Sequence, residues 1–474
     1  MDQYDLVNNF GEAVSAGNGA LFVGAGLSVG AGLPTWTQLL KPLQEKANVP
    51  DHHDYPLIAE YIANDKKNVG REALCEHILE LIAKPTTPTR GHRLLTQVPL
   101  KEIWTTNYDE LIEKACDDDT FVAVTDDDIR TIGTNNRTII KMHGSVKTDG
   151  GSPIWAEPPV ITRSDYEQYE FRRPRTWALL RAAYVSRTFL FLGFSFTDPN
   201  IEVLLRLARQ HALSVTDRHL TVLKRPPAGP ERILHSLRMK DLESSGVKVC
   251  EIDEYDELQR IIQALVRRTR PQRLFISGSG GADEHGLSRP DPEIRPWCEK
   301  IAAELASRSQ WELTSLGGPA GWNITRDVAN IRRSEQNYSP EKLTFYFRQK
   351  SEPPPEMQER VGTSVYTDLP RERLVGTLLD ECRAILVIGG GDRTAEEIQW
   401  ARERGVGVVP LAASGGAAHR DWWDHHDNPP ELGGRTVSQR DWELLDDASV
   451  IVAARAAVRL LEQAMYEPNR PGQR

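Results

Sequence analysis

The stretch ALFVGAGLSVGAGLPTW, residues 20–36, reads as a strand that runs into glycine and then starts a helix. Ala20 to Val23 is a short apolar run of the kind that forms a buried strand. Gly24, Gly26, Gly30 and Gly32 follow it, and Trp36 to about Lys46 has helical character, with Thr35 placed to cap the first turn. A strand, a glycine turn and a helix start bring backbone N–H groups up to a pyrophosphate, because a Cβ would block close approach and positive φ. The same pattern also makes a plain tight turn with no ligand. Ser28, the GLPTW tail and the segments downstream bear on the choice between the two readings.

Three further segments follow the same plan. Val98 to Thr105 reads as a strand delivering Thr106-Asn107-Tyr108-Asp109, with Asp109 to Cys116 continuing as a helix. Thr138 to Met142 delivers His143-Gly144-Ser145, and Thr188 to Gly193 delivers Phe194-Ser195-Phe196-Thr197-Asp198-Pro199-Asn200. Amphipathic runs at 54–63 and 71–83 read as helices. Strands alternating with helices imply an α/β fold with a parallel sheet, whose binding residues belong at the carboxyl ends of the strands. A second Rossmann-like unit begins near Arg273. Its strands are Leu274 to Ile276, Cys382 to Ile388 and Val406 to Leu411, running into Ser277-Gly278-Ser279-Gly280-Gly281, Gly389-Gly390-Gly391 and Ser414-Gly415-Gly416. The expected domains are 1–269 and 270–474. The region from Ser339 to Pro370, with Pro353-Pro354-Pro355, reads as a loop or insertion, and the tail after Glu467 as disordered.

Composition narrows the function classes. The 474 residues are 27 % charged and 39 % hydrophobic, as in ordinary soluble domains. No apolar run approaches the ~20 residues of a membrane span, and MDQYDLVNNF is no signal peptide, so a cytoplasmic protein with no membrane partner is expected. A net charge of −10 argues against nucleic acid as the main partner. The five cysteines form no CxxC pair, which disfavours a disulfide framework or a four-cysteine zinc site, and no metal is expected. The acidic clusters 117–119 and 126–128 read as solvated turns, and His425-His426 as an exposed turn.

GAGLS, TTNYD, HGS and GFSFTDPN together resemble the sirtuin family in order and spacing, over about Leu21 to Ile252, most closely its bacterial NAD-consuming branch in anti-phage defence. The resemblance implies NAD as substrate. It places Gly24, Ala25, Gly26 and Ser28 on the pyrophosphate, and Gly193 and Ser195 over the adenosine side. Asn107 would bind the nicotinamide ribose and orient water or substrate. Asp109 would fix local geometry or the nicotinamide amide, and His143 would act as general base, its ordinary pKa of about 6.5 suiting that role. Bland readings stand beside these: Asn107 as a helix cap, His143 as a turn residue, Asp198 as the cap of the next helix. The chain lacks the paired cysteines of deacetylating sirtuins, and Trp36 stands where their loop carries Phe-Arg. The missing cysteine pairs favour hydrolysis of NAD itself over deacylation, and the altered loop puts the family's nicotinamide-side contacts there in doubt.

SGSGG and GGGDRTAEE resemble the SLOG family, related to phosphoribohydrolases with a PGG-x-GT-x-x-E loop. Here Gly389 replaces the proline and Arg393 the later glycine, which favours an anion-binding sensor over a hydrolase. In this reading Ser277, Gly278, Ser279 and Gly280 cradle one phosphate, and Gly390, Gly391 and Thr394 another. Arg393 pairs with phosphate and Glu397 holds a ribose hydroxyl, while Arg371 and Arg373 either reach the same cleft or are helix-surface charge. A sirtuin-like domain joined to a SLOG-like domain is similar to the effectors of the Thoeris anti-phage system. That resemblance implies NAD hydrolysis switched on by a cyclic ADP-ribose-type nucleotide made by a TIR-domain partner, in a homo-oligomer of four copies or more. The alternatives are a non-catalytic nucleotide sensor or scaffold, an ungated deacylase, and a phosphoribohydrolase in the second domain.

Overall fold

The computed structural model describes residues 1–116, 119–132, 137–148, 151–196, 198–210, 219–280, 294–348 and 361–466, without the side chains of 207–210. Asp117, Asp118, Thr197, Gly281, Pro353-Pro354-Pro355 and the tail after Glu467 lie outside the described residues. The chain divides into two compact units, Met1–Thr269 and Arg270–Arg474. Both are α/β.

The first unit contains β1 (Gly19–Val23), β2 (Glu102–Thr105), β3 (Thr120–Ala123), β4 (Arg137–Lys141), β5 (Ser145–Lys147), β6 (Ile154–Glu157), β7 (Thr188–Leu192), β8 (His219–Lys224) and β9 (Val247–Ile252). Seven of these make one parallel sheet in the order β3-β4-β2-β1-β7-β8-β9, and β5 and β6 form a separate antiparallel hairpin. All five residues of β1 are buried. A strand covered on both faces needs no alternation, which is why its sequence is a continuous apolar run. Phe22 stacks on Phe191, with ring centroids 5.3 Å apart, inside a cluster that includes Phe189 and Phe194. The chain leaves β1 toward β2 on one side and meets β7 on the other. The strand order reverses here, so a crevice opens beyond the carboxyl ends of β1 and β7.

Thr35 caps the helix Trp36–Lys46 as the sequence predicts, in a capping box with Gln38. The helix expected over Asp109 to Cys116 does not form. Only a short 3₁₀ turn, Glu113–Ala115, is present. The carbonyls that an α-helix would turn toward later N–H groups have other partners. Lys141 donates its ammonium to the carbonyls of Tyr108 and Asp109, and Val146 N donates to Tyr108 O at 2.9 Å.

The second unit holds β10 (Arg273–Ser279), β11 (Glu312–Ser315), β12 (Leu343–Arg348), β13 (Thr363–Thr367), β14 (Ala384–Gly389) and β15 (Gly407–Leu411). They form a parallel sheet in the order β13-β12-β11-β10-β14-β15. Here too the order reverses between adjacent strands, β10 and β14. The region from Ser339 to Pro370, expected as loop, contributes the edge strand β13 and its inner neighbour β12. LTFYFR and TSVYT are rich in β-branched and aromatic residues, which suit a pleated surface. The core includes the fully buried Trp311 and Trp442.

Candidate active site

In the first unit a cavity of about 380 Å³ lies beyond the strand ends, lined by Gly24, Ala25, Gly26, Ser28, Asn107, Asp109, His143, Gly193 and Ser195. All nine residues singled out from the sequence of this unit therefore face one space.

Its floor is two loops in backbone contact. Gly24 N donates to Leu192 O and Gly26 N to Gly193 O, both at 2.9 Å. A Cβ on Gly24 would sit 2.5 Å from Gly193 O, and one on Gly193, where φ is +62°, would sit 2.5 Å from Leu27 N. The sequence reads these glycines as donors to a pyrophosphate. In the fold the N–H groups of Gly24 and Gly26 hold the β7 loop, and the missing side chains permit that crossing. Gly193→Ala is accordingly expected to destabilise the unit by about 2–4 kcal/mol through backbone overpacking and the positive φ, read as a lowered thermal midpoint.

The wall is a chain of hydrogen bonds. Thr105 donates to Val23 O at 2.9 Å and accepts from Asn107 N at 3.0 Å, which links β1 to the Asn107 turn. Asn107 Nδ2 donates to Ser28 Oγ at 3.1 Å and to Gly24 O at 3.3 Å. Ser28 Oγ donates to Asp109 Oδ2 at 2.9 Å, and Asp109 Oδ1 accepts Leu111 N at 3.0 Å. Asp109 is thus occupied in holding the glycine loop against the turn. The amide oxygen of Asn107, Oδ1, is buried without a hydrogen-bond partner.

His143 is 1 % exposed and sits edge-on to Tyr166 and Tyr169, at ring distances of 5.2 and 6.0 Å. Its Nε2 makes no hydrogen bond, although Asp198 Oδ2 lies 3.4 Å away, off line. Burial drives the imidazole down to about 3, with the Arg173 guanidinium pushing the same way, so it is a neutral base at cellular pH. Burial also raises the Asp198 carboxyl to about 7. Asp198 does cap the next helix, through Oδ1 to Asn200 N at 2.9 Å, while its second oxygen faces His143. The sequence marks it as a cap. The pairing with a histidine far away in the chain became visible only in the fold.

Other lining residues carry no motif in the sequence: Tyr55 stacked on Trp36 at 6.0 Å, Tyr166, Lys224 and Tyr255. No group of three metal-ligating side chains occurs among the described residues, and no helix among them is long and apolar enough to cross a membrane.

In the second unit Ser277, Gly278 and Ser279 end β10 and Gly280 follows. Gly390 and Gly391 precede the helix Asp392–Glu403, which carries Arg393, Thr394 and Glu397 in its first turns. Ser277 donates to the buried Glu397, and Arg371 donates to Glu397 at 2.6 Å, to Glu396, and to the carbonyl of Arg393 at 2.6 Å. Ser277, Arg371 and Glu397 are therefore bonded to one another. Gly390 N meets Ser279 O at 2.6 Å, whereas the Arg393 side chain is exposed and outside this cluster.

The family model described as a SIR2-like domain matches residues 101–250. The chain is 29 % identical over 438 residues to the NAD(+) hydrolase ThsA of Acinetobacter baumannii (strain 532279), covering 87 % of this chain and 88 % of that one. It is 29 % identical over 443 residues to the NAD(+) hydrolase ThsA of Bacillus cereus (strain MSX-D12), covering 88 % of each. Defense-associated sirtuin 2 of Bacillus subtilis is 26 % identical over 276 residues, 54 % of this chain and 26 % of that protein. The glycine loop, the Asn107 turn and His143 in one cavity, the SIR2-like match and a likeness spanning nearly the full length of two such hydrolases together make this chain a ThsA-like protein with a SIR2-like domain in its first unit.

Proposed function

We propose that the first unit hydrolyses NAD+ to nicotinamide and ADP-ribose. One observation carries the reading: Asn107 Oδ1 and His143 Nε2, both buried and without a hydrogen-bond partner, share one cavity. Orphaned buried polar atoms are costly and persist where a substrate satisfies them. The bond from ribose C1′ to nicotinamide breaks with its electron pair going to the ring nitrogen, so the pyridinium leaves as a neutral base and needs no acid. The sugar passes through an oxocarbenium-like centre. Asn107 Oδ1 accepts a ribose hydroxyl or the incoming water, and His143, neutral through burial, takes the proton. Asp198, when ionised, stabilises the imidazolium that results.

This assigns a pH dependence. Below about 7 the Asp198 carboxyl holds its proton, and above it a carboxylate faces His143. The rate of NAD+ loss is expected to rise through an apparent pKa near that value and level off, and Asp198→Asn is expected to lose this limb. The stability effect has the opposite sense. A carboxyl whose folded pKa lies above its unfolded value of 3.8 contributes most below that value and loses its contribution as pH rises through about 7. Asp198→Asn is therefore expected to melt higher than the parent at pH 8 and no higher at pH 4.

The second unit, in the same reading, binds a cyclic ADP-ribose-type nucleotide made by a TIR-domain partner, through Ser277, Gly278, Ser279, Gly280, Arg371, Gly390, Gly391, Arg393, Thr394 and Glu397. Three helices of that unit begin at Gly318, Gly391 and Gly415 with no side-chain cap, which supports phosphate binding there. Binding switches on NAD+ depletion as anti-phage defence, in a cytoplasmic homo-oligomer of four copies or more. The names of the relatives support the hydrolase and the defence role. The test is NAD+ loss by purified protein with and without a panel of cyclic ADP-ribose isomers. Loss that appears only with one isomer is the expected result. Tight nucleotide binding with no NAD+ loss under any isomer would sink the hydrolase and leave a sensor or scaffold.

A further inference from the structure

The cavity has a second end that the reaction does not use. His143 and Asn107 lie beyond β4 and β2, the crossed glycine loops beyond β1 and β7, and Lys224 and Tyr255 beyond β8 and β9. Strand spacing of about 4.8 Å separates β4 from β8 by roughly 19 Å, the reach of an extended dinucleotide. With the reacting ribose at His143, the adenosine ribose lies at the ends of β8 and β9.

That end has a specific charge arrangement. Lys224, the last residue of β8, lines the cavity, and its ammonium lies 2.8 Å from Glu254 and 4.8 Å from the centre of the Tyr255 ring. Arg225 is drawn away to Glu251 at 3.3 Å and Asp253 at 2.8 Å. Glu257 holds the turn by accepting the N–H groups of Asp253 and Glu254, at 2.9 and 2.8 Å. Glu251, Asp253 and Glu254 thus pair with the two cations, and Asp256 and Glu257 follow in the first turn of the next helix. A helix starts here at Tyr255, and its positive end would ordinarily favour phosphate. The carboxylates in and before its first turn cancel that attraction and occupy the lysine that would otherwise meet an anion.

We propose that the Lys224–Glu254 pair selects the dinucleotide at its adenosine end, accepting the free 2′-hydroxyl of NAD+ and rejecting the 2′-phosphate of NADP+. Glu254 repels the phosphate and neutralises Lys224, while Tyr255 offers its ring to the adenine. An acid at the 2′-hydroxyl and a cation at a 2′-phosphate are the general solutions to this discrimination. Here both groups are present, and their mutual bond sets the outcome. The proposal rests on the hydrolase reading for the orientation of the dinucleotide.

The test is equilibrium binding by calorimetry of ADP-ribose and of its 2′-phosphate to the full chain, which requires no turnover. The parent is expected to favour ADP-ribose at least tenfold. In Glu254→Gln the ratio is expected to narrow about tenfold, chiefly through tighter binding of the 2′-phosphate. Lys224→Ala added to that variant is expected to remove the gain. A parent that prefers the 2′-phosphate, or a ratio unmoved by Glu254→Gln while ADP-ribose still binds, overturns the proposal and leaves the hydrolase reading intact. A parent that binds neither ligand overturns the reading of the cavity itself.

Discussion

His143→Ala is expected to slow NAD+ cleavage roughly a thousandfold while ADP-ribose affinity changes by less than threefold. The size follows from the contribution of a positioned general base, ~10²–10⁴ in rate. The selectivity follows from the site. The imidazole is buried, is held neutral, and offers an unpartnered Nε2 to the cavity, whereas the crossed loops that form the cavity floor are held by backbone hydrogen bonds that the substitution leaves in place. Asn107→Ala is expected to cost about a hundredfold or more, and to weaken binding somewhat as well, because its Nδ2 also ties the turn to Ser28 and Gly24. Turnover and calorimetry on the same preparations separate the two effects. A His143→Ala protein that cleaves NAD+ within tenfold of the parent removes the imidazole from the chemistry.

The second large effect concerns a residue that never touches the substrate. Lys141 has no exposed side-chain surface. Its ammonium donates to the carbonyls of Tyr108 and Asp109 and lies 2.6 Å from Glu113. It braces the Asn107 turn from behind. Lys141→Met leaves two carbonyls and a buried carboxylate without their cation and is expected to destabilise the first unit by about 3–5 kcal/mol. Burial already raises the Glu113 carboxyl, and without the lysine it takes up a proton more readily. The loss is therefore expected to be smaller at pH 5 than at pH 8, because a carboxyl with a raised folded pKa is favoured on the acid side. Pairing the change with Glu113→Leu is expected to recover much of the stability but not the activity, since the turn still lacks its brace. Denaturant melts and NAD+ turnover on the three variants check this.

The strands and the loops they deliver were legible because each is a local pattern, an apolar run followed by glycine or a polar turn. Thr35 with Gln38 and the full burial of β1 follow from the same short-range logic. What was not legible depends on partners far away in the chain. The failed helix after Asp109 traces to Lys141, which in sequence is an ordinary strand lysine. Asp198 reads as a cap, and only the sheet order brings its free oxygen to His143. Strands β12 and β13 were hidden because nearby prolines mark a loop, while the residues on either side have strand chemistry. In the second unit the motif residues were legible, but the bonding of Arg371 to Glu396 and Glu397 was not, since side chains on two different helices make it.

The crossing of the loops after β1 and β7 bears on how such a protein can change. Its hydrogen bonds are main chain to main chain, with the Phe194 ring packed beside Gly24, so little room is left to adjust by degrees. Positions 24, 26 and 193 are coupled through this contact, so a side chain added at any one of them displaces the opposite loop. Mutational drift in one loop has no compensating substitution in the other, and a chimera that borrows only one of them carries a mismatched half. Substitutions at the rim, at Trp36, Tyr55, Lys224 or Tyr255, leave these backbone contacts of the floor in place.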